Sequence, residues 1–232
     1  MRGARGAAAV VWEWFRTAAV VLVVLLATRL FLVDAFKIPT ASMEGTLLVG
    51  DFLLVNKALY GSEIPGTHLR LPALREPRLG EVIVFLAPHD PSKNYVKRLM
   101  AGPGDIIEMR HKRVFRNGEP VDEPYVRILD PHRDAILPGV EWQEDYLVRT
   151  PSATYRPTRD NWGPLRVPAG AYFVLGDNRD NSEDSRYWGF VPREALVGRP
   201  WRVYYSLDFG ATPVNLPWWE GVRWDRIGTR VD

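Results

Sequence analysis

The stretch NYVKRLMAG, residues 94–102, has the pattern of a β-strand and indicates the fold class of the chain. Its mix of apolar and charged residues is typical of a β-strand, in which successive side chains point to opposite faces. Lys97 and Arg98 are neighbours, so they lie on opposite faces and one of them faces inward. Lys97 is then either a surface lysine of a strand or a buried amine with altered chemistry.

Strand-like runs recur between turn signals through most of the remaining chain. Nineteen prolines, nineteen glycines and abundant Val, Tyr and Trp favour strands and turns over helix bundles. The pair Asn117-Gly118 predicts a two-residue type I′ hairpin. The predicted class is therefore mainly β. The predicted strands are Phe52–Val55, Glu81–Leu86, Asp105–Met109, Val114–Arg116, Tyr172–Leu175 and Trp201–Tyr205.

Composition excludes several classes of function. The 232 residues suffice for one large domain or a large and a small one, and the formal net charge is only +2. Lys and Arg are scattered along the chain, so nucleic-acid binding is not expected. Cysteine is absent, which excludes disulfides, thiolate metal sites and a cysteine nucleophile. The four histidines lie far apart with no pair at ligand spacing, so a zinc site is not expected.

Residues 10–33 are predominantly apolar and predict a transmembrane anchor. A helix of about 20 residues crosses the hydrocarbon core, provided that Glu13 and Arg16 lie at one interface and Arg29 lies near the other. A cleaved signal peptide is the alternative, but the apolar stretch is long and no small-x-small site follows it. Basic residues in the first nine positions place residues 1–9 in the cytoplasm and residues 34–232 on the outer side of the membrane.

Ser42 lies a few residues after this anchor, in FKIPTASMEGTLLVGD, residues 36–51. One interpretation is that Thr40 or Ser42 caps a short helical turn. The other is that Ser42 is a nucleophile beside an extended peptide. A serine needs a base, and the candidate is Lys97. An exposed lysine has a pKa near 10.4, and a working base needs about 7 to 8, a shift that burial can supply.

A third segment, GDNRDNSEDSRYWGFVP, covers residues 176–192. Its composition predicts a loop of Asx turns that leads into an aromatic strand. An EF-hand is excluded, because the required Gly and Glu are missing from their positions. So many polar residues beside WGF predict a partly buried polar network, whose members must be paired with one another.

These three segments, in this order after one apolar stretch, resemble the bacterial type I signal peptidases over nearly the whole chain. IPTASMEGTLLVGD is similar to the nucleophile box of that family, YVKRLMAGPGD to its lysine box and GDNRDNSEDSRYWGFVP to its last box. The resemblance implies a membrane-anchored serine endopeptidase. It would remove signal peptides at Ala-x-Ala sites from exported preproteins, without a cofactor.

The resemblance also assigns roles to residues. Ser42 is the implied nucleophile and Lys97 the general base and later the acid, so the rate should rise with an apparent pKa well below 10.4. Thr40 and the Ser42 backbone N–H are the implied oxyanion hole. In the last box, Ser182 is expected to hydrogen-bond the lysine amine, Asp184 and Arg186 to form an ion pair, and Arg179 to support them. The implied substrate-binding residues are Phe36, Ile38, Pro39, Leu47, Leu53, Val84, Tyr95 and Val96.

The same resemblance predicts the domain organisation and the location. An antiparallel catalytic β domain comprises residues 34–105 and 170–232. A smaller β subdomain, residues 106–169, is inserted into it, and residues from about 120 to 168 have the weakest periodicity. The expected location is the cytoplasmic membrane, with exported preproteins and the lipid bilayer as partners. The oligomeric state stays open.

The loop just after Ser42 departs from the pattern of the family. Glu44-Gly45 replaces the more usual apolar-Pro pair, which predicts a more flexible and more acidic loop.

The tryptophans near the C-terminus, Trp218, Trp219 and Trp224, either contact the membrane interface or pack in the core.

Two alternative functions remain. One is a relative specialised for one secretion or conjugation substrate, and the other is an inactive, membrane-tethered module that binds extended peptides.

Overall fold

In the computed structural model the chain begins with one long helix and continues mainly as β-strands. The structure describes residues 2–61, 63, 70, 72–132, 134–136, 138–148, 155–208 and 218–232. Helix α1, Arg2–Phe31, presents exposed apolar side chains along most of its length, and residues 9–29 are long and apolar enough to cross a membrane. The helix ends before the predicted limit of the span, because Val33 is already the first residue of a strand.

The strands that follow are antiparallel and numbered in chain order. They are β1 Val33–Lys37, β2 Asp51–Asn56, β3 Val82–Ala87, β4 Asp90–Ala101, β5 Ile106–Arg110, β6 Arg113–Arg116, β7 Glu119–Pro120, β8 Trp162–Arg166, β9 Ala171–Leu175, β10 Val191–Pro192 and β11 Leu196–Ser206. A short helix α2, Ser185–Trp188, lies between β9 and β10. The predicted mainly β class is confirmed, and each of the six predicted strand runs coincides with a strand.

The described residues form two sheets. The larger has seven strands in the order β1-β2-β11-β3-β4-β9-β10, and the smaller has four in the order β7-β6-β5-β8. The smaller sheet uses residues 106–166. The hairpin between β6 and β7 turns at Asn117 and Gly118, whose φ angles of 54° and 88° are both positive as a type I′ turn requires. The predicted hairpin is confirmed.

Strands β1 and β4 of the large sheet each have an edge that lacks a strand partner among the described residues. Strand β1 is an edge strand that pairs with β2. Strand β4 pairs with β3 through residues 94–98, but with β9 it pairs at Arg98, Leu99 and Ala101. Residues 93–97 therefore have no strand partner on the β9 side among the described residues. This open edge of β4 and the end of β1 border one groove.

Apolar clusters support these strands from within. One cluster lies beneath the segment that carries Ser42, and another joins the small sheet to β4 and β9. The first contains Ile38, Met43, Leu47, Leu53, Val55, Val82, Val84, Val203 and Val231. The second contains Met100, Ala101, Ile107, Met109, Val114, Trp162, Leu165, Val167, Phe173 and Leu175.

The C-terminal tryptophans are not core residues where their side chains are described. Trp219 is 52% exposed and Trp224 is 68% exposed. The prediction that they pack in the core is therefore wrong for these two residues. The side chain of Trp218 lies outside the described part of the chain.

Strand β11 has a glycine where it lies close to the backbone of its neighbour β2. A Cβ atom at Gly198 would lie 2.4 Å from the carbonyl oxygen of Asn56, a backbone atom that cannot move freely. Gly198→Ala should therefore lower the free energy of unfolding by about 1–3 kcal/mol through overpacking. Thermal unfolding of the detergent-solubilised chain measures the loss.

The matched control for this prediction is Gly102→Ala. A Cβ at Gly102 would make only ordinary contacts, the nearest at 3.9 Å from Asp105 Oδ2. We expect its melting temperature to stay close to that of the parent. Equal melting temperatures for the two variants would contradict a close approach of β11 to β2 at Gly198.

Candidate active site

Ser42 lies on a single 3-10 turn, Ala41–Met43, which follows β1 after a short extended segment. Thr40 occupies the N-cap position of this turn, but its side chain makes no capping hydrogen bond. The Thr40 Oγ1 atom instead lies 3.4 Å from Ser42 Oγ. The interpretation that Thr40 caps the turn is therefore wrong, and its hydroxyl is available beside that of Ser42.

Lys97 reaches Ser42 from β4. Its Nζ atom donates a hydrogen bond of 2.7 Å to Ser42 Oγ, and the residue is only 4% exposed. The interpretation of Lys97 as a surface lysine is wrong. Burial lowers the pKa of the Lys97 amine to about 8, although the negative charges of Asp184 and Glu183 act in the opposite direction. A hydroxyl and an amine with a low pKa are thus in direct contact.

Arg98, on the opposite face of β4, is also buried. It is 2% exposed, and its guanidinium makes hydrogen bonds of 2.8 and 2.7 Å to the two carboxylate oxygens of Asp177. The guanidinium also stacks at 3.6 Å from the ring centre of Tyr125. Both neighbours in the strand are therefore buried, because residues from other parts of the chain cover both faces of β4.

The segment after β9 docks directly onto the turn that carries Ser42. The backbone N–H of Asn178 donates to the Ser42 carbonyl oxygen at 3.1 Å, and its side-chain amide donates to the Ala41 carbonyl oxygen at 3.1 Å. The hydroxyl of Thr46 donates to Asp177 at 2.6 Å. These bonds fix the turn that carries Ser42 against the third segment. Asn178 was missed by sequence reasoning, since nothing in the sequence shows which loop residues meet the turn.

Asp184 and Arg186 form a fully buried ion pair with two hydrogen bonds of 2.8 Å. The backbone N–H of Gly176 adds a third hydrogen bond to Asp184, at 3.0 Å. Burial by itself raises the pKa of the Asp184 carboxyl, but the charge and hydrogen bonds of Arg186 outweigh it and the pKa is lowered. Asp184 therefore stays ionised close to Lys97. The polar network is deeper than predicted, because most of its members are wholly buried.

Ser182 and Arg179 take up different surroundings. Arg179 is 1% exposed, forms an ion pair with Glu123 and donates to the Gly176 carbonyl oxygen at 3.1 Å. Ser182 is 7% exposed, and its Oγ makes no hydrogen bond to the Lys97 amine, so the predicted hydrogen bond is absent. The Ser182 side chain instead packs against Gly176 and helps to lower the pKa of the Asp184 carboxyl.

A groove of about 500 Å³ opens at Ser42 and Lys97. It is bordered by the end of β1 on one side and by the open edge of β4 on the other. The lining comprises Phe36, Lys37, Ile38, Pro39, Thr40, Ser42, Met43, Lys93, Asn94, Tyr95, Val96, Lys97, Asn181 and Glu183. Five of the predicted substrate residues are among them, namely Phe36, Ile38, Pro39, Tyr95 and Val96.

The other three predicted substrate residues, Leu47, Leu53 and Val84, do not line the groove. Each is 0% exposed and belongs to the apolar cluster beneath it. Ile38 and Met43 lie in the same cluster and also line the groove, so they separate it from the deeper residues. These three residues form the support of the groove floor, and assigning them to the binding surface is wrong.

The departure at Glu44-Gly45 has a structural basis. Glu44 forms an ion pair of 2.8 Å with Arg127, so its charge is balanced. Gly45 has a φ angle of +127°, and a Cβ there would lie 2.6 Å from the Tyr125 carbonyl oxygen. Proline, with φ fixed near −65°, does not fit this conformation.

Within the described ranges, no three His, Asp or Glu side chains come together in a way that could hold a metal ion.

The model of the family described as signal peptidase, peptidase S26, matches residues 11–205. The chain belongs to the signal peptidase family. It is therefore a serine peptidase, a hydrolase, and the matched residues include all three segments singled out above.

Individual relatives extend over most of the chain. The peptidase is 41% identical over 202 residues to signal peptidase I of Pseudomonas fluorescens, covering 80% of this chain and 69% of the relative. It is 33% identical over 231 residues to signal peptidase I of Aquifex aeolicus, covering 85% and 84%. A crystal structure of a signal peptidase I from Enterococcus faecalis is 28% identical, with a TM-score of 0.37, and covers 55% of this chain and 98% of its own.

The buried Asp184–Arg186 pair generates a stability prediction. Asp184→Asn leaves the Arg186 charge buried without its counter-ion, so the free energy of unfolding should fall by about 3–5 kcal/mol. The matched control is Glu108→Gln, which removes a 2.9 Å ion pair to Arg110 at a more exposed position and should cost at most about 1 kcal/mol. Urea unfolding followed by circular dichroism measures both. Similar losses for the two variants would show that the buried pair has no special role.

Proposed function

We propose that the peptidase is a membrane-anchored endopeptidase that cleaves signal peptides from exported preproteins at Ala-x-Ala sites, with Ser42 as nucleophile and Lys97 as general base. The observation that carries this proposal is the 2.7 Å hydrogen bond from the buried Lys97 amine to Ser42 Oγ. A nucleophile within hydrogen-bond reach of a base with a lowered pKa is the arrangement that serine catalysis without histidine needs.

The mechanism begins with the neutral form of Lys97. Its amine accepts the Ser42 hydroxyl proton as Oγ attacks the carbonyl carbon of the scissile bond, and the resulting ammonium then protonates the leaving amine. The neutral amine then deprotonates a water molecule that attacks the acyl carbon, and the ammonium returns this proton to Ser42 Oγ as its bond to the acyl carbon breaks. With a pKa of about 8, a substantial fraction of Lys97 is neutral near neutral pH, whereas an ordinary lysine would be almost entirely protonated.

The developing oxyanion needs donors beside Ser42. We assign the Thr40 hydroxyl and the Ser42 backbone N–H to this role. The position of Thr40 Oγ1, 3.4 Å from Ser42 Oγ and at the groove surface, supports the assignment. A donor of this kind contributes roughly 2.7–4 kcal/mol to the stabilisation of the transition state.

The substrate would bind as an extended strand. The edge of β1 and the open edge of β4 at residues 93–97 both offer backbone hydrogen-bonding groups to a peptide lying between them. The apolar walls, with Phe36, Ile38, Tyr95 and Val96, suit apolar side chains on alternate substrate residues. The packed cluster beneath the groove limits its depth, which favours alanine at the first and third positions before the cleaved bond.

The remaining assignments concern the domain organisation and the location of the protein in the cell. We assign residues 34–105 and 170–232 to the catalytic domain and residues 106–169 to an inserted subdomain, since the four strands of the small sheet fall within the latter range. Residues 10–33 are assigned to the anchor in the cytoplasmic membrane. Arg2 and Arg5 favour a cytoplasmic N-terminus and an outward-facing catalytic domain. An inactive peptide-binding module is disfavoured, because binding alone does not need the costly burial of Lys97.

The catalytic assignment is tested with a detergent-solubilised chain and a preprotein whose signal peptide ends in Ala-x-Ala. Ser42→Ala should abolish cleavage, and Lys97→Ala should lower kcat/KM at least about 100-fold, because the general base is lost. Ser92→Ala and Lys57→Ala, which lie outside the groove lining, are the controls and should cleave normally. Undiminished cleavage by Ser42→Ala or Lys97→Ala would refute the dyad.

The topology is tested by fusing reporters to the C-terminus of the full chain. Alkaline phosphatase, which is active only outside the cytoplasm, should be active, and green fluorescent protein exported in the same way should stay dark. In the control, Arg2 and Arg5 are both changed to glutamate. This removes the positive charge before the anchor and should lower the fraction of the phosphatase that is active. A phosphatase that is inactive and a fluorescent protein that is bright would contradict the proposed orientation.

A further inference from the structure

Glu183 places a carboxylate in the wall of the groove. It directly follows Ser182 in the segment that docks on the nucleophile turn, and its side chain is exposed. The other charged residues of the lining are Lys37, Lys93 and Lys97. Glu183 is therefore the one acidic residue among the described residues that line the groove.

The neighbouring lysines do not neutralise this carboxylate by direct contact. Lys93 forms an ion pair of 2.8 Å with Asp90, and Lys97 donates to Ser42. Glu183 forms no ion pair within 4.0 Å among the described residues, and Lys37 lies 6.0 Å from the ring centre of Phe52. An unpaired carboxylate in a substrate groove is a recognition element for a positive charge that the substrate supplies.

The position of Glu183 along the groove brings it close to the reacting atoms. Its charge acts on Lys97, Tyr95 and Lys93, which are alternate residues on one face of β4. The turn Arg179–Asn181, two residues before it, packs against the turn that carries Ser42. A peptide attacked by Ser42 must therefore pass Glu183 within a few residues of the cleaved bond.

We propose that Glu183 makes the peptidase prefer substrates with a lysine or arginine close to the cleaved bond. The proposal rests on the proposed function. The first and third positions before the bond face the apolar walls, so the basic residue belongs at the second position before the bond or at the first or second position after it. A long basic side chain can extend to the exposed carboxylate while its charged end stays in water.

A basic substrate residue would also assist the chemistry. The negative charge of Glu183 raises the pKa of Lys97, against the effect of burial. A substrate cation beside Glu183 offsets that charge and so favours the neutral, working form of Lys97. The preference should therefore appear in kcat/KM below about pH 8 more strongly than above it.

The test uses the full detergent-solubilised chain and preproteins with one Ala-x-Ala site. Lys, Gln or Glu is placed in turn at each of the three positions, and kcat/KM is measured for the parent, Glu183→Gln and Glu183→Lys. At one position or more, the parent should cleave the Lys substrate about threefold faster than the Gln substrate, the size expected for an exposed charge pair. Glu183→Gln should lose this ratio, and Glu183→Lys should favour Glu. Glu141→Gln, an exposed acid outside the groove, is the control.

Three outcomes would count against the preference. The preference would be overturned if the ratio of kcat/KM for the Lys substrate to that for the Gln substrate were the same in the parent and Glu183→Gln at all three positions. A uniform change for every substrate, with a shifted pH profile, would also overturn it, since Glu183 would then act on Lys97 alone. If the parent cleaves none of the preproteins, the proposed function fails and this preference fails with it. Cleavage of the Gln substrates by the parent separates a failure of this preference from a failure of the proposed function.

Discussion

The buried hydrogen bond between the Lys97 amine and Ser42 Oγ is the interaction on which the rest of the structure depends. A charged lysine at 4% exposure is unfavourable, and the protein tolerates it because the amine can lose its proton at a pH near 8. Placing the amine there requires a strand with both faces covered. Strand β4 fulfils this requirement, with the Ser42 turn on one face and the Arg98–Asp177 pair on the other.

The surrounding polar network has two effects that oppose each other. Burial lowers the pKa of Lys97, while the ionised Asp184 nearby raises it. The Asp184–Arg186 pair also fixes the last segment, from which Asn178 holds the backbone of the Ser42 turn. The same groups therefore determine both the position of Ser42 and the acidity of the Lys97 amine.

The sequence predicts those features that arise from local patterns. Alternation and turn residues predicted the strands, the hairpin at Asn117-Gly118 and the placement of Lys97 on a strand. Features that depend on contacts between distant segments could not be predicted. These include the burial of Arg98, the docking of Asn178 and the withdrawal of Leu47, Leu53 and Val84 beneath the groove. The hydrogen bond expected for Ser182 failed for the same reason, since a sequence does not fix side-chain orientation in a crowded site.

Burial holds the Lys97 amine near a pKa of about 8 in the resting protein. Nuclear magnetic resonance of isotope-labelled lysine side chains in the detergent-solubilised chain, titrated from neutral to alkaline pH, measures this directly. The Lys97 signal is assigned by its loss in Lys97→Met, and the exposed Lys93 is the internal reference. We predict that Lys97 loses its proton near pH 8, well before Lys93. A midpoint for Lys97 equal to that of Lys93, above pH 10, would contradict the account.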